Sequence, residues 1–495
     1  MKTEKKSTAS SVLRWIDDPL IDTGVAAAVL HADVNSPEEV TWEQWQAFME
    51  ALRKDYLDGL LKKQTGILFT TNSFDNPAFK GEKRKAAIEE AFGLVNSPPD
   101  VENATIDRCA FFQEFPAVIR AARDQFPMVQ GRNQVNFYPS GRAEIPLSGI
   151  AYGCLLAIPQ VLPVVSGRMP VVAMESKDLL RSFLFGWYEQ QQTDLAKARL
   201  HGTALPERKG QKTRVAQRLD DIFAAESKLI RDLSRSTKRP GVILYFLSNS
   251  SQGCAIDIYS LQPMVSRFLI RVNMADLRQS WQTFVNTFWW KGKTESSDDV
   301  MTDEKNRVSN NSLYDDLYSL PTNVQAFLRR YFQRYAENLA GQRKNLDATP
   351  IKLWDLLSVF LQIVILMKKE QIEKIRILAD ELSGIIQKTN DKKLFSQIMG
   401  RTQSTNSYTA FRAILVRTAL KLLKNEPKLL LTLDDFTEIF EDEENVPHGG
   451  FYLTRDMIRI RCLEQLKNWP ALRGEEDDEV VAPDEIAIET IDELR

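Results

Sequence analysis

Residues 291 to 312, KGKTESSDDVMTDEKNRVSNNS, hold almost no large apolar side chain, and the chain on either side of them is built differently. A polar run of this length is a poor thread for a compact core, so it reads as a linker. A chain of 495 residues also exceeds what one small core supports, which calls for two or three domains. Before the linker, short helices, irregular segments and strands alternate. After it, from Thr322 to Trp469, almost every segment repeats its apolar residues at helical spacing. The expected fold class is α+β: an irregular mixed N-terminal and middle region with a small antiparallel sheet, followed by a C-terminal α-helical bundle. The expected parts are an N-terminal mixed domain over 1–170 and a middle α+β region over 171–290, with a helical, basic insertion at 177–239. The linker at 291–312, a bundle over 313–470 and an acidic tail over 471–495 complete the chain.

Local signals fill in this outline. Val25 to His31 reads as helix, and Thr41 before Trp42-Glu43-Gln44 is an N-cap in the right place to start another. Gly66 to Ala78, GILFTTNSFDNPA, is expected to open as a short strand and pass into a polar turn at Asn76-Pro77. Val171 to Met174 reads as a strand. Val242 to Leu247 and Ala255 to Tyr259 read as a hairpin closed by a long turn over Ser248 to Gly253. Asp347 to Pro350 supplies an N-cap and an N1 proline for a helix expected to run past Lys368. Phe411 to Lys424 places Leu415, Ala419 and Leu422 on one face and Arg417, Lys421 and Lys424 on another.

The net charge of −3 argues at first against a nucleic-acid partner. From Ala471 onward, however, ten acidic residues face only Arg473 and Arg495. Without that tail's −8 the other 470 residues carry +5. A nucleic-acid site on such a body must be local. The tail itself reads as a solubilising end that repels nucleic acid. Cys109, Cys154, Cys254 and Cys462 form neither a CxxC pair nor a secreted disulfide pattern, and His31, His201 and His448 are scattered. The charged start MKTEKKSTASS lacks the apolar stretch of a signal peptide. The apolar runs Cys154–Val165 and Leu356–Met367 are shorter than the ~20 residues of a membrane-spanning helix. No membrane contact and a cytoplasmic location are expected.

Catalytic signatures are missing from the sequence: it has no GxxxxGK[ST], GxSxG or HExxH. Asp17, Asp18 and Asp22 form an acidic cluster of the kind a metal nuclease uses, but Asp also favours the positive end of a helix, and that structural role is the expectation here.

Several segments, taken in order, resemble the large subunit of type I CRISPR surveillance complexes (Cascade), in the MYXAN-like branch of the type I-A/I-B large-subunit family. Trp15-Ile16-Asp17-Asp18-Pro19-Leu20-Ile21-Asp22-Thr23-Gly24 is similar to that family's opening pattern. Leu68-Phe69-Thr70-Thr71-Asn72, with Asn76-Pro77 and Phe79-Lys80 after it, is similar to its aromatic-Thr-Asn loop. Phe137 to Gly141, Ile145 to Gly149 and Cys154 to Pro163 resemble a third segment, and Leu244 to Asn249 with Ile256 to Leu261 a fourth. Together they span residues 15 to about 270, roughly half the chain. Relatives often carry two CxxC pairs that look like a zinc site. Here only Cys109 and Cys154 stand there, as single residues expected to be buried, so neither a metal nor a cofactor is expected.

The resemblance implies a non-catalytic subunit that probes the motif flanking the target (the PAM), helps open the duplex, and contacts the guide RNA 5′ end and the displaced strand. Its implied partners are guide RNA, target double-stranded DNA, other Cascade subunits, and a recruited helicase–nuclease or transposition proteins. The C-terminal helical part would resemble the separate small subunit.

Four clusters are the candidate nucleic-acid contacts. Lys80, Lys83, Arg84 and Lys85 follow the Thr-Thr-Asn loop and suit phosphates, while Asn72 or Ser73 suits base edges. Arg132, Asn133 and Arg142 bracket Phe137-Tyr138-Pro139, where aromatic rings suit stacking. The insertion carries Arg199, Arg208, Lys209, Lys212, Arg214 and Arg218, and between the first and last of these Glu207 is the only acid. Arg417, Lys421 and Lys424 line one helix face, and Arg455 with Arg459 forms a second basic pair. For each cluster a solvated or structural role is the competing reading. Two other functions stay open: a nucleic-acid-processing enzyme, which needs acids or histidines converging in space, and a helical protein-interaction scaffold, which needs the clusters at 80–85 and 208–214 to face apart.

Overall fold

The computed structural model describes residues 12–70, 74, 76, 79–96, 107–129, 144–208, 211–224, 241–250, 253–291, 309–341, 351–400, 407–425, 430, 432–440 and 450–473. The chain separates into two compact units, Met1–Asn273 with Trp289–Tyr318, and Met274–Phe288 with Ser319–Arg495. The class is α+β, with helices dominating and, among the described residues, three small antiparallel sheets.

In the first unit, α1 (Pro19–His31) begins where Asp18 accepts the Leu20 and Ile21 amides, each at 3.0 Å, and Pro19 occupies the first turn. Helix α2 (Trp42–Leu57) starts from Thr41 in a reciprocal capping box with Gln44. Helices α3 (Lys62–Leu68) and α4 (Glu82–Val95) follow, then the short pair β1 (Ile119–Ala121) and β2 (Ile145–Leu147) and the fully buried α5 (Gly149–Ala157). Strand β3 (Met169–Met174) leads into the 25-residue α6 (Lys177–His201) and then α7 (Gln211–Ala224). Strands β4 (Val242–Ser250) and β5 (Gly253–Leu261) complete a sheet of order β3-β4-β5. Val242, Leu244 and Phe246 turn one face of β4 into the core, as period-two burial requires. Helix α8 (Pro263–Val272) ends this run.

Two local expectations are corrected here. Gly66-Ile67-Leu68 closes helix α3 and forms no strand. Thr65 Oγ bonds the Leu61 carbonyl at 2.8 Å inside the helix, and the carbonyl of Gly66, one of the orphans at its C-terminus, accepts the Asn249 side chain at 2.8 Å. The β4–β5 ladder continues to Ser250 opposite Gly253, so only Ser251-Gln252 separate the strands, where a long turn was expected. Serine and asparagine side chains do not interfere with main-chain pairing, and the polar run simply extends the hairpin.

Glycine has a specific task in this unit. Helices α1 and α5 approach so closely that a Cβ on Gly24 would stand 2.0 Å from the Cys154 carbonyl oxygen, and one on Gly153 would meet the Trp45 ring at 2.5 Å. The alanine run Ala26-Ala27-Ala28 is buried beside that contact.

The polar stretch does not simply separate two halves. Helix α9 (Arg278–Asn286) already belongs to the second unit, after which β6 (Trp289–Lys291) pairs with β7 (Ser309–Asn311) in the first. Helix α10 (Ser312–Asp316) is held there by a buried polar network. Asp220 accepts Tyr314 Oη and Asn273 Nδ2, each at 2.6 Å, and Thr213 donates to Asp315 at 2.7 Å. Burial next to Asp220 raises the Tyr314 pKa, so the phenol keeps its proton and donates. The chain crosses for good only at Ser319.

The second unit is helical: α11 (Val324–Phe327) passes through a π turn into α12 (Arg334–Gly341). It continues with α13 (Leu353–Ile363), α14 (Lys369–Thr389), α15 (Lys392–Met399), α16 (Tyr408–Asn425), α17 (Leu433–Phe440), α18 (Phe451–Leu466) and the single turn α19 (Pro470–Arg473). The helix expected to run from Pro350 past Lys368 stops at Ile363. Leu366, at φ 62°, reverses the backbone, and the Met367 amide returns to the Leu361 carbonyl at 3.0 Å. Residues 347–350 themselves lie outside the described ones. Among the described residues no helix is long and apolar enough to cross a membrane.

Candidate nucleic-acid interface

The segment leading into the Thr-Thr-Asn loop is pinned at several points by distant parts of the first unit. Besides the Asn249 bond to Gly66, the Thr70 amide donates to the Arg123 carbonyl at 3.0 Å, and Thr70 Oγ lies 2.9 Å from Cys254 Sγ. Four residues on, buried Phe74 packs edge-on to Tyr56 at 5.5 Å between centroids. Asn72 and Ser73 lie outside the described residues, between these two anchors.

Arg84 is responsible for the second anchor, its guanidinium turned toward main-chain carbonyls. Its guanidinium donates to the carbonyls of Tyr56 at 2.6 Å, Leu57 at 2.9 Å and Phe74 at 2.5 Å. It thereby caps the C-terminus of α2, where the macrodipole favours a cation, and ties the loop to it. Lys80, Lys83 and Lys85 remain exposed before and within the first turn of α4. An Arg84→Ala chain should lose about 2 kcal/mol of first-unit stability in urea unfolding, while Lys83→Ala should stay within about 0.5 kcal/mol of the parent.

Several cations of the basic insertion are likewise held by partners within the first unit. Arg199 forms a two-pronged pair with the buried Asp55, at 2.8 and 2.7 Å, and Gln160 donates to the same carboxylate at 2.9 Å. Arg208 pairs with Asp194 at 2.7 Å and bonds Gln190, and burial lowers its pKa. Arg218 is half-buried, its guanidinium lying against Gly186 so closely that a Cβ there would meet Nη2 at 2.2 Å. Arg208 is therefore corrected from a backbone-gripping residue to a structural one. Arg214 is exposed on α7. Lys209 and the side chain of Lys212 lie outside the described residues, as do Arg132, Asn133 and Arg142.

In the second unit, Arg417 and Lys421 do lie on the solvent side of α16. They line a groove of about 550 Å³ against α14 and α15, in which Lys388, Lys393, Arg417 and Lys421 outnumber Glu381 and Asp391. Lys421 pairs with Asp391 at 3.1 Å, and the backbone hydrogen bond from Leu394 holds that carboxyl below its ordinary range. The side chain of Lys424 lies outside the described residues. The expected basic pair Arg455 and Arg459 is corrected: both are buried around Asp456 and face no solvent.

All three residues of the acidic cluster have partners: Lys177 Nζ reaches the exposed Asp17 at 2.7 Å. Asp18 caps α1, and Asp22 is buried, accepting the Ile16 amide at 2.7 Å and Lys177 Nζ at 2.6 Å; burial raises its pKa. Cys109 and Cys154 are buried free thiols. Among the described residues no three His, Cys, Asp or Glu side chains are grouped to hold a metal ion.

Sequence reasoning missed Asn249, Cys254 and Arg123 as neighbours of the loop. The Ser-Asn-Ser-Ser-Gln run in the hairpin was the available signal, since polar side chains at the end of a strand can bond the main chain of another segment. Comparison with family models, with curated proteins and with solved structures finds no match to this chain.

Proposed function

We propose that this chain is a large subunit of an RNA-guided DNA-targeting complex of the Cascade kind, acting without bond-breaking chemistry of its own. One observation carries the reading. Segments that bear the resemblance, far apart in sequence, are packed against one another in the first unit: Gly24 of the opening motif lies on Cys154 of α5, and Asn249 of the hairpin on Gly66 before the Thr-Thr-Asn loop. The described segments of the motif set belong to one compact unit and flank residues 71–73, which supports a recognition role for that unit. In this proposal the loop at 71–73, the hairpin tip and exposed Lys80, Lys83 and Lys85 probe the flanking duplex. The guide RNA reads the sequence by pairing, and the basic groove of the second unit supports a strand. Guide RNA, target DNA and the neighbouring subunits are the proposed partners, with a helicase–nuclease or transposition proteins recruited afterwards.

The test is co-expression with the neighbouring genes and a repeat-spacer RNA, followed by duplex binding with the flanking sequence varied. The chain should co-purify with RNA. Replacing Lys80, Lys83 and Lys85 together by glutamate should weaken duplex binding by roughly tenfold or more. It should also flatten the salt dependence by about 0.9 in log–log slope for each phosphate no longer neutralised. A chain that stays free of RNA and indifferent to DNA would sink the proposal.

A further inference from the structure

Helix α16 is apolar on two opposite sides. Phe411, Ile414 and Leu415 are buried in the bundle. On the other side Ala413, Val416, Leu420 and Leu423 recur at spacings of three, four and three, and the last three are 49%, 56% and 43% exposed. That spacing is the seam of a helix that packs against another helix. An apolar stripe of this kind needs a cover. Its edges are cationic: Arg412 on one side, Arg417 and Lys421 on the other.

Three occupants can be weighed on this charge pattern. A second copy of α16 would bring like charges together along both edges. A nucleic acid matches the cations but leaves the aliphatic stripe uncovered. An acidic amphipathic helix satisfies both, and the chain carries one such sequence. Within 484–494, DEIAIETIDEL, helical spacing puts Ala487, Ile491 and Leu494 on one stripe with Ile488 beside it. Asp484, Glu485, Glu489, Asp492 and Glu493 fall around it. Pro483 followed by two acids is a helix-start signal.

The route is short. Trp469 Nε1 donates to Asn390 Oδ1 at 3.1 Å, and the next residue, Asp391, holds Lys421 of α16. The described chain leaves this corner at Arg473. The ten residues 474–483 can span about 33 Å, whereas the seam from Ala413 to Leu423 is only about 15 Å long.

We propose that the outward seam of α16 is the docking site of the chain's own acidic segment 484–494, which seats its apolar stripe on Val416, Leu420 and Leu423 and its carboxylates on Arg412, Arg417 and Lys421. Resting on the nucleic-acid reading above, the segment competes with phosphate for the groove cations.

The test uses the full-length chain with Cys254→Ser, so that no native thiol is exposed among the described residues. Leu420→Cys and Ile491→Cys are combined and oxidised mildly, with Leu366→Cys and Ile491→Cys as the comparison at another exposed apolar position. Docking predicts a disulfide within single chains, formed about tenfold faster for the Leu420 pair than for the Leu366 pair. Equal rates, or bridges only between chains, overturn it. In a second arm Asp484, Glu485, Glu489, Asp492 and Glu493 are replaced by their amides and binding of a fluorescent duplex is titrated. Competition predicts about tenfold tighter binding, and unchanged affinity overturns the competition. If the intrachain bridge forms but neither chain binds duplex, docking stands and the nucleic-acid reading falls.

Discussion

A Gly24→Ala chain is expected to lose roughly 3–5 kcal/mol of first-unit stability, enough to leave much of it unfolded at 37 °C. The added methyl would lie 2.0 Å from the Cys154 carbonyl oxygen, and both partners are helical backbone. No rotamer change can relieve that overlap, so α1 and α5 must separate. Separation exposes Val25, Val29, Cys154 and Leu155, all buried to 0% exposure in the parent. Urea unfolding followed by circular dichroism measures the loss. Gly93→Ala supplies the control, because a Cβ there meets nothing within 4 Å; it should stabilise α4 by about 0.5–1 kcal/mol. Equal behaviour of the two variants would mean that the helices can part without cost, and that the close approach is unimportant.

The second large effect is expected at Asp456, the fully buried carboxylate of the second unit. Arg329 Nε reaches it at 2.7 Å, Arg455 Nη2 at 3.1 Å and Arg459 Nη1 at 3.6 Å. Arg459 also donates to the Ile398 carbonyl at 2.9 Å, which fixes α18 against the end of α15. Burial, with Arg455 alongside, already brings the Arg459 pKa down to about 10. Asp456→Ala would leave two buried guanidiniums without this counter-charge and should cost about 3–5 kcal/mol. The informative companion is Asp456→Leu combined with Arg455→Met and Arg459→Leu. With no buried charge left to strand, this triple replacement should recover most of the loss in thermal unfolding. If the single and triple variants are equally unstable, packing around α18 matters and the ion cluster does not.

These two sites show why some features were legible in the sequence and others were not. The start at Thr41 was readable because its cause is local, a bond to an amide three residues away, whereas the helix read from Val25 begins six residues earlier, at Pro19 behind the Asp18 cap. The strands Val171–Met174 and Val242–Leu247 were readable from alternation and β-branched content. The burial of Cys109 and Cys154 followed from their apolar surroundings. Misread segments were those where a partner or a turn outside the local pattern settled the outcome. Gly66 to Leu68 looks like a strand opening until Asn249 is found on its carbonyl, and the helix after Pro350 looks continuous until Leu366 turns it.

By itself the sequence determined the class, the Thr41 cap, the hairpin, and the contrast between a mixed first part and a helical second part. All of these rest on periodicity and on hydrogen bonds spanning a few residues. Only the tertiary structure decided which cations face solvent. Lys80, Lys83, Lys85, Arg417 and Lys421 do, as does Arg199 even while it holds the buried Asp55, whereas Arg84, Arg208, Arg455 and Arg459 are turned toward carbonyls or carboxylates inside the units. A charged side chain's state depends on whether an opposite charge or a free carbonyl stands within about 4 Å, and Asp55 is 144 residues from Arg199. Windows of sequence count charges; folding decides which of them are already spoken for.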